Sequence, residues 1–461
     1  MSTLVIGLGV TGDAVVRHAR RGGDRVTVIE DTPRDDAAYR ERLVAARALG
    51  VEVVEAPAAE TVADLVTAAD VVVPSPGVRA RHAAIAAARR AGVPVRAEID
   101  LAAELAGDRL LVAITGTNGK TTVTTLVADM LAASNVDAGA AGNIGTALLD
   151  AATTAPAGSV LVAEVSSFQL AFTTEAFRPR VAVVLNIADD HLDWHGSIEE
   201  YVAAKARVFA HQRRDDLLVF SADDERVAAL AATAPGRRVG FSVAPDAVDG
   251  YRVVGDALVG PAGDVLAATA DLRARAPHDR ANALAAAAAA LEVGATPVGV
   301  RDALRRFEGL PHRLRPVGEG GGVRYYDDSK ATNPHATLRA VEGASTRVVL
   351  VAGGRNKGLD LSVLRALAPR LRAVVAIGEA APEIESAFTG VTPVVVARDM
   401  RTAVASATDL AESGDAVILS PACASFDWYA SYGDRGDDFT AEVTRKLAGN
   451  GAGASPAGVA E

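Results

Sequence analysis

The stretch TGTNGKTT, from Thr115 to Thr122, decides the fold of the middle of the chain. It follows the apolar run Leu110–Ile114, which predicts a strand, and precedes Val123–Ala133, which predicts a helix. Glycines at such a turn let backbone N–H groups approach phosphate oxygens, and the helix N-terminus adds a favourable dipole. The stretch therefore predicts a phosphate-binding loop, with an ordinary strand-to-helix turn as the less favoured alternative.

Two side chains of this loop have chemistry suited to a nucleotide. Lys120 is expected to reach the terminal phosphates, and the Thr121 hydroxyl to bind Mg²⁺. The spacing departs from the standard P-loop, which has a glycine where Ile114 stands. The predicted nucleotide-binding residues of the loop are Gly116, Thr117, Asn118, Gly119, Lys120, Thr121 and Thr122.

Outward from the loop, short β-branched runs alternate with alanine-rich helical stretches, a pattern typical of parallel α/β architecture. The fold class predicted is α/β with three domains: a Rossmann-like N-terminal domain, a P-loop-type ATP-binding central domain and a Rossmann-like C-terminal domain. Predicted strands are Thr3–Ile6, Val26–Ile29, Asp70–Pro74, Leu110–Ile114, Val160–Val165, Val181–Ile187, Arg347–Ala352, Ala373–Ile377 and Ala416–Leu419. Predicted domain boundaries are 1–98, 99–309 and 310–461, with residues 448–461 expected to be disordered because they are rich in Gly, Ala, Ser and Pro.

Composition narrows the classes of function. A chain of 461 residues is too long for one ordinary core, and its net charge of −11 argues against general affinity for nucleic acid or an anionic membrane. The single cysteine, Cys423, fits a reducing compartment. No secretory signal precedes the first predicted strand, and no run of about 20 apolar residues predicts a membrane span. A cytoplasmic protein is expected, and a monomer, because no long exposed apolar stripe is predicted.

Lysine is scarce in this chain. Of 47 basic residues only five are lysine: Lys120, Lys205, Lys330, Lys357 and Lys446. A retained lysine can mark a position that needs a compact ammonium or an amine able to lose its proton. Four of the five lie inside candidate motifs, although compositional bias of the genome is the alternative explanation.

A second glycine-rich turn, GLGVTG from Gly7 to Gly12, follows the first predicted strand, with Glu30 at the end of the next. Alone this pattern predicts NAD binding. The physical requirement is only a phosphate at a helix N-terminus, which a nucleotide sugar meets equally well. The predicted substrate-binding residues of this domain are Gly9, Thr11, Glu30, Asp31, Thr32, Ser75 and Gly77. For Ser75–Gly77 a plain turn is about as well supported as a ligand role.

Two polar groups end predicted strands of the central domain. Glu164 closes an apolar run, where a carboxylate can hold Mg²⁺. His191 lies in the Asp-rich segment after the next strand and is a candidate ligand for a second metal ion, against the simpler alternative of a structural histidine.

Three polar loops of the last block also follow predicted strands: DDSKATNP (Asp327–Pro334), GGRNK (Gly353–Lys357) and SPACASFD (Ser420–Asp427). Two lysines and several hydroxyls in these loops predict a site for a dicarboxylate. Each loop alone is as well explained as an ordinary loop, but all three together are not.

These motifs together resemble the Mur ligases over nearly the whole chain, and the shortened loop TGTNGKTT is also similar to that of folylpolyglutamate synthases. The motifs DSKATNP and SPACASFD resemble the D-glutamate-adding branch of the Mur family. The resemblance implies ATP-dependent ligation of D-glutamate to UDP-N-acetylmuramoyl-L-alanine through an acyl phosphate. It implies ATP and two Mg²⁺ ions as cofactors, and no nucleic-acid partner.

The resemblance also assigns residues. It implies a carbamylated Lys205 as a metal ligand, so that the predicted metal ligands are Thr121, Glu164, His191 and Lys205, and the predicted catalytic residues are Lys120, His191 and Lys205. It adds Asn282, Arg313 and Asp327 to the ATP-binding residues. It completes the substrate-binding residues with Asn143, Ser166, Lys330, Thr332, Lys357, Ser425, Phe426 and Tyr432. The chain departs from the family pattern at Asp279, where asparagine is usual, and at Arg355, where an acid is frequent.

Three rival interpretations stay open at this level. Another member of the superfamily is the nearest, and the C-terminal motifs argue against it. An NAD-dependent oxidoreductase leaves the stretch Thr115–Thr122 unexplained. A non-catalytic nucleotide-binding protein has no reason to combine Lys120, Glu164, His191 and Lys205.

Overall fold

The structure is a computed structural model and describes residues 1–33, 36–244, 249–273 and 276–449. These residues form two compact units, one made of Met1–Ile187 with Trp194–Phe307, the other of Ala188–Asp193 with Glu308–Glu461. The predicted terminal tail lies outside the described residues apart from Ala448 and Gly449, which belong to the last helix.

The first sheet opens the chain. Its strands, as far as the structure describes them, run parallel in the order β3-β2-β1-β4. Helices separate consecutive strands, as parallel pairing requires. The elements are β1 (Ser2–Ile6), α1 (Val10–Arg21), β2 (Arg25–Glu30), α2 (Ala37–Ala48), β3 (Glu52–Glu55), α3 (Ala59–Thr67), β4 (Val71–Pro74), α4 (Ala83–Ala91) and α5 (Glu98–Ala106).

The second sheet has nine strands among the described residues, in the order β13-β12-β11-β10-β9-β8-β5-β7-β6. The strands from β6 to β11 pair in parallel, and β12 and β13 add an antiparallel edge. The strands are β5 (Leu110–Thr115), β6 (Ala138–Gly142), β7 (Val160–Glu164), β8 (Val181–Val184), β9 (Leu217–Ser221), β10 (Arg237–Ser242), β11 (Tyr251–Val254), β12 (Ala257–Val259) and β13 (Val265–Ala268). The helices are α6 (Lys120–Ala133), α7 (Leu148–Thr154), α8 (Ser167–Leu170), α9 (Leu192–His195), α10 (Ile198–Ala206), α11 (Glu225–Ala231), α12 (Pro277–Glu292) and α13 (Pro297–Arg306).

Both faces of this second sheet are buried. Along β5, Leu111 and Ala113 pack into one apolar cluster, and Val112 and Ile114 pack into another. A strand covered on both faces is apolar at nearly every position, as β5 is from Leu110 to Ile114. Eight consecutive buried residues of α12, Ala283–Ala290, supply part of the second cluster; small side chains let that helix lie close to the sheet. The rigid β5 ends where the phosphate loop begins.

The third sheet lies in the second unit and has the order β14-β15-β19-β16-β17-β18 in the part of the chain that the structure describes. All neighbours pair in parallel except β14, which is antiparallel to β15. The elements are β14 (Arg315–Gly320), β15 (Val323–Asp327), α14 (Pro334–Glu342), β16 (Val348–Gly353), β17 (Leu371–Ile377), α15 (Ala381–Phe388), β18 (Val394–Val396), α16 (Met400–Leu410), β19 (Ala416–Ala422) and α17 (Tyr432–Gly449). A 3₁₀ segment, Leu361–Arg370, precedes β17.

The predicted strands are all present, with ends that shift by one to three residues. Two strands differ by three residues: β19 continues to Ala422, and β8 ends at Val184 although the apolar run continues to Ile187. The backbone of those last residues serves the phosphate loop instead: Asn186 O accepts from the Thr117 N–H at 2.8 Å. No helix among the described residues is both long enough and apolar enough to cross a membrane.

The buried centre of β16 supports the loops of the second unit. We expect Leu350→Ala to lower the free energy of unfolding by about 2–5 kcal/mol, because it opens a cavity between strands that are fully covered. Val396→Ala, on the exposed edge strand β18, is the matched control and should change it by less than about 0.5 kcal/mol. Urea unfolding of both variants measures the difference. Equal midpoints would contradict this description of the core.

Candidate active site

An open cavity of about 730 Å³ lies at the carboxyl ends of β1, β2 and β4. All the substrate-binding residues predicted for the first domain line it: Gly9, Thr11, Glu30, Asp31, Thr32, Ser75 and Gly77. Three further lining residues, Arg79, Arg81 and His82, were not predicted, because the sequence gives no signal for them beyond their position after β4. The cavity therefore combines a glycine-rich turn with both acidic and basic side chains.

The turn at the base of this cavity depends on small residues. A Cβ on Gly12 would lie 2.0 Å from the carbonyl oxygen of Gly7, so no side chain fits there. Ser75 donates from its hydroxyl to that same carbonyl at 2.7 Å, and Glu30 accepts the N–H of Leu8 at 2.9 Å. Glu30 ends β2 and Ser75 follows β4, the strands on either side of β1. Together they hold the turn, which keeps the start of α1 facing the cavity.

The predicted phosphate loop begins at the end of β5 and closes at Gly119, which precedes α6 with φ of +87°. Asn186 clamps the loop: its side-chain oxygen accepts the Asn118 N–H at 2.8 Å and its amide donates to the Asn118 carbonyl at 3.0 Å. A Cβ on Gly119 would lie 2.6 Å from Oδ1 of Asn282. Asn282, predicted to contact adenine, therefore lies directly beside the loop.

Two lysines meet at one carbonyl oxygen of the loop. Lys120 donates to Gly116 O at 2.9 Å and to Thr117 O at 2.9 Å, and Lys205 donates to Gly116 O at 2.8 Å. Lys205 is only 1% exposed and its ammonium lies 4.5 Å from the centre of the Tyr201 ring. This arrangement brings together two of the predicted catalytic residues and concentrates positive charge at the start of α6.

Tyr201 ties α10 to the loop. Its hydroxyl lies 3.0 Å from the hydroxyl of Thr117, and its buried ring faces Lys205 from the same helix. Tyr201 was not predicted as a site residue. The signal that could have found it is its position four residues before Lys205, which puts both side chains on one face of a helix.

Glu164 ends β7, the strand beside β5, and is buried. Asn143 donates to its Oε1 at 3.0 Å, which joins two predicted residues. Its Oε2 is also buried and has no hydrogen-bond partner among the described residues. An unpaired buried carboxylate oxygen is costly unless a cation or donor satisfies it. Glu164 therefore fits the role of a Mg²⁺ ligand, since carboxylate oxygens are preferred by that ion.

The structure gives less direct support for the other predicted metal ligands. Lys205 donates hydrogen bonds as an ammonium and can bind a cation only after carbamylation. His191 belongs to the second unit, where it has φ of +55° and follows Asp190. Among the described residues, no group of three or more His, Cys, Asp or Glu side chains is placed to hold a metal ion. Ser166, predicted to bind substrate, caps α8 and hydrogen-bonds to Gln169.

In the second unit, the three predicted loops follow the neighbouring strands β15, β19 and β16. Backbone hydrogen bonds join them: Ala422 donates to Ala331 O at 2.9 Å, and Arg355 and Ala424 exchange two bonds of 2.8 and 3.0 Å. The carboxyl ends of adjacent parallel strands thus form one polar surface, as predicted. Such an edge is where open α/β sheets bind ligands.

Two of the predicted amino-acid-binding residues touch directly. Lys330 donates to the Tyr432 hydroxyl at 2.8 Å, and its ammonium lies 4.2 Å from the centre of that ring. Phe426 is 62% exposed, unusual for a phenylalanine, whereas Ser425 is buried. An exposed aromatic side chain can contact the apolar part of a small ligand, and a lysine can contact its charged part.

Lys357 is held by an acid. Its ammonium donates to Oδ1 of Asp190 at 2.6 Å, and Asn333 donates to Oδ2 of the same carboxylate at 3.1 Å. Both charged groups are largely buried, which strengthens their attraction. Asp190 belongs to the Asp-rich segment that contains His191, but it was not predicted to hold Lys357.

The adjacent residues Asp327 and Asp328 lie in different environments. Asp327, predicted to serve ATP binding, pairs with His312 at 2.6 Å and accepts the Ser329 N–H at 2.9 Å. Asp328 is buried and accepts from the Ser420 hydroxyl at 2.8 Å. Burial raises the pKa of the Asp328 carboxyl to about 7, against the opposing effects of Ser420 and of the charge on Arg313.

Arg435 on α17 is the largest fully buried side chain among the described residues. It donates to the Ser329 hydroxyl at 2.9 Å, to the Ser329 carbonyl at 2.9 Å and to the Cys423 carbonyl at 3.1 Å. Arg435 thus ties the loop after β15 to the loop after β19. Burial lowers its pKa to about 10. A single arginine in an amphipathic helix gives no sequence signal for this role.

Three domain models of one protein family match successive parts of the chain. Residues 1–97 match the Mur ligase MurD-like N-terminal domain, residues 114–290 the Mur ligase middle domain, and residues 312–423 the Mur ligase glutamate ligase domain. The chain belongs to the Mur ligase family. The family assignment and the three sheets confirm the predicted α/β fold with three domains, whereas the exact boundaries at 98 and 309 stay predictions.

Within that family, the curated relatives are D-glutamate ligases. The UDP-N-acetylmuramoylalanine--D-glutamate ligase of Desulfosudis oleivorans is 41% identical over 453 residues, which cover 97% of each chain. The enzyme of the same name from Frankia casuarinae is 43% identical over 453 residues, covering 96% of this chain and 94% of the relative. Among solved structures, MurF from Acinetobacter baumannii shares the fold, with a TM-score of 0.64 and 16% identity over 96% of this chain and 93% of that one.

The raised pKa of Asp328 predicts a pH dependence of stability. An unfolded aspartate ionises near pH 3.8, so between about pH 4 and 7 the folded protein keeps a proton that the unfolded chain releases. The free energy of unfolding should therefore fall as pH rises through this window, by up to about 1.4 kcal/mol per unit. In Asp328→Asn, which mimics the protonated form, this part of the slope should vanish.

Urea unfolding from pH 4.5 to 8 measures this slope. Glu385→Gln, which removes an exposed acid of the same unit, is the control and should follow the unsubstituted protein. If Asp328→Asn also follows it, the raised pKa of Asp328 is wrong.

Proposed function

We propose that the protein ligates D-glutamate to UDP-N-acetylmuramoyl-L-alanine with hydrolysis of ATP to ADP and phosphate, through an acyl phosphate. The product, UDP-N-acetylmuramoyl-L-alanyl-D-glutamate, is a precursor of peptidoglycan. The observation that carries the proposal is the similarity to curated D-glutamate ligases along 97% of the chain, in all three domains. Membership of the Mur ligase family also favours a ligase over the oxidoreductase alternative.

The phosphate loop supports a role in binding ATP. Backbone N–H groups at the start of α6 and the ammonium of Lys120 supply positive charge for the β- and γ-phosphates. Asn282, beside Gly119, is assigned to the adenine end. Arg313 and Asp327, in the second unit, complete the proposed ATP-binding residues. Phosphoryl transfer of this kind requires mainly positioning and charge stabilisation rather than a protein nucleophile.

Glu164 and the Thr121 hydroxyl are the residues proposed to hold Mg²⁺. The unpaired buried Oε2 of Glu164 supports this assignment. When bound, the ion would neutralise charge that develops on the phosphoryl oxygens. A second ion, held by His191 and a carbamylated Lys205, is part of the proposal. Carbamylation needs a neutral amine and would replace the donor to Gly116 O with an oxygen ligand.

The nucleotide sugar is assigned to the cavity beside α1. Its volume of about 730 Å³ suits a ligand of that size, and its glycine turn can receive the diphosphate. Asn143 and Ser166 are proposed to contact the part of this substrate nearer Glu164. The substrate's alanine carboxylate attacks the γ-phosphorus, and the bond from that phosphorus to the β-phosphate oxygen breaks.

D-Glutamate is assigned to the polar surface formed by the loops of the second unit. Lys330 and Lys357 would bind its two carboxylates, with hydroxyls of Thr332 and Ser425 as further partners. Phe426 and Tyr432 would contact its methylene groups. The amine attacks the acyl carbon, phosphate leaves and the amine loses a proton. Because Asp190 holds Lys357 by a bond of 2.6 Å, a substrate carboxylate must compete with that acid.

A cytoplasmic location and a monomeric state are also proposed. A nucleotide-linked substrate and ATP are available in the cytoplasm, and no part of the proposed site needs residues from another copy.

Phosphate release from ATP tests the proposed reaction. With UDP-N-acetylmuramoyl-L-alanine present, we expect release to require D-glutamate and not to occur with L-glutamate, L-alanine or diaminopimelate. Release with another amino acid would overturn the assignment of the C-terminal loops but keep the ligase chemistry. Absence of release with all of them, in protein that binds ATP, would contradict the proposed function.

Lys120→Ala should abolish turnover, because it removes the ammonium nearest the proposed γ-phosphate. Lys446→Ala is the matched control: this lysine lies on α17 and pairs with Asp409, so turnover should be retained. The measurement is the same phosphate release with all substrates saturating. Turnover of Lys120→Ala close to that of the control would rule out the phosphate-loop assignment.

Lys205→Ala should lose most activity and regain part of it with added acetate or formate, which can replace the carbamate oxygens. The same salts should not raise the activity of Lys446→Ala. Unchanged activity in Lys205→Ala would remove the carbamate from the proposal, and a loss without rescue would favour a role for Lys205 in supporting the loop through its contacts with Gly116 O and Tyr201.

A further inference from the structure

His82 lies at the mouth of the nucleotide-sugar cavity and bridges two elements of the first domain. It is the residue before α4, and its Nδ1 accepts the N–H of Ala84 at 3.1 Å. Its other ring nitrogen, Nε2, lies 2.5 Å from Oδ2 of Asp31, at the end of β2. One imidazole therefore connects the start of a helix to a carboxylate in the cavity.

These two contacts fix the tautomer of His82. An Nδ1 that accepts from a backbone N–H carries no proton, so the proton of the neutral ring must be on Nε2. The Nε2–H then donates to the Asp31 carboxylate, and such a bond to an ionised acceptor is stronger than one between neutral groups. The cap of α4 thus determines which nitrogen faces Asp31.

Asp31 is in turn left with one oxygen for a ligand. Its Oδ2 is taken by His82, whereas Oδ1 accepts no hydrogen bond from the described residues. The side chain lines the cavity and is half exposed. An acid at the end of the second strand of such a domain can accept from hydroxyl or N–H groups of a nucleoside. The contact with His82 is therefore the interaction that can orient this half-exposed side chain.

We propose that His82 is a positioning residue for the nucleoside end of the substrate. By holding Oδ2 of Asp31, it orients Oδ1 toward the donor groups of the uridine moiety. The proposal rests on the proposed function, which supplies the uridine nucleotide as the ligand of this cavity. It extends that function to a residue that does not itself need to touch the reacting atoms.

Two substitutions separate the two ring nitrogens. His82→Asn places an acceptor near the position of Nδ1 and keeps a good helix cap, but it cannot reach Asp31. His82→Gln is longer and can place an N–H near the position of Nε2. We expect His82→Asn to weaken UDP binding about tenfold, the order expected for one charge-assisted hydrogen bond, and His82→Gln to retain most of the affinity.

Titration calorimetry with UDP as the probe, on the full chain, measures these affinities. The KM for the sugar nucleotide should rise in His82→Asn, while the KM for ATP, the KM for D-glutamate and kcat stay unchanged. A loss of folding alone would change all of these together. A melting temperature of His82→Asn equal to that of the unsubstituted protein would establish that the cap is intact.

A double-substitution cycle with Asp31→Ala tests whether His82 acts through that acid. In the Asp31→Ala background, His82→Asn should have no further effect on UDP affinity. The same tenfold loss in both backgrounds, or no loss in either, would overturn the proposal. If the unsubstituted protein binds no UDP, the proposed function fails as well; if it binds UDP and His82→Asn binds equally well, only the role of His82 fails.

Discussion

The carbonyl oxygen of Gly116 is the point on which the nucleotide site depends. Two ammonium groups, from Lys120 and Lys205, donate to it, one from the helix that follows the loop and one from a helix about 85 residues further along the chain. Two ammonium groups at one carbonyl oxygen place positively charged donors where an anionic ligand can bind. Asn186 holds the same turn: its backbone oxygen accepts the N–H of Thr117, in the same peptide group as the Gly116 carbonyl, and its side chain bonds to the backbone of Asn118. The loop is therefore organised in a way that favours a phosphate before one arrives.

The parallel sheets explain why the residues of each site lie close together. Parallel strands deliver their polar ends to one edge, so Gly116 and Glu164 follow neighbouring strands, and the three loops of the second unit follow neighbouring strands of another sheet. In each case the apolar strand is fixed by burial on both faces, and only the residue after it is free to specialise. The rigid part and the reactive part of the protein are thus encoded by adjacent residues.

Motifs at strand ends could be predicted from the sequence because each combines a local turn with a residue type of defined chemistry. Lys120, Glu164 and the lining of the first cavity were found in this way. Side chains that act across long sequence distances could not be. Tyr201 and Arg435 lie on ordinary amphipathic helices, and their roles depend on which loop each helix packs against, which is a property of the tertiary fold. The strand β8 was predicted too long because apolar composition does not reveal where a backbone leaves the sheet.

The burial of Arg435 has a consequence for the order in which the site can be completed during synthesis. The phosphate loop and the strands beside it lie in the first half of the chain, and domains generally fold as units from the N-terminus as they are made. The loops after β15 and β19 are joined by backbone hydrogen bonds and, in addition, by Arg435 on the last described helix. A nascent chain can therefore form its nucleotide loop early, but the contacts of Arg435 with the surface proposed for the amino acid form only after α17 has been made.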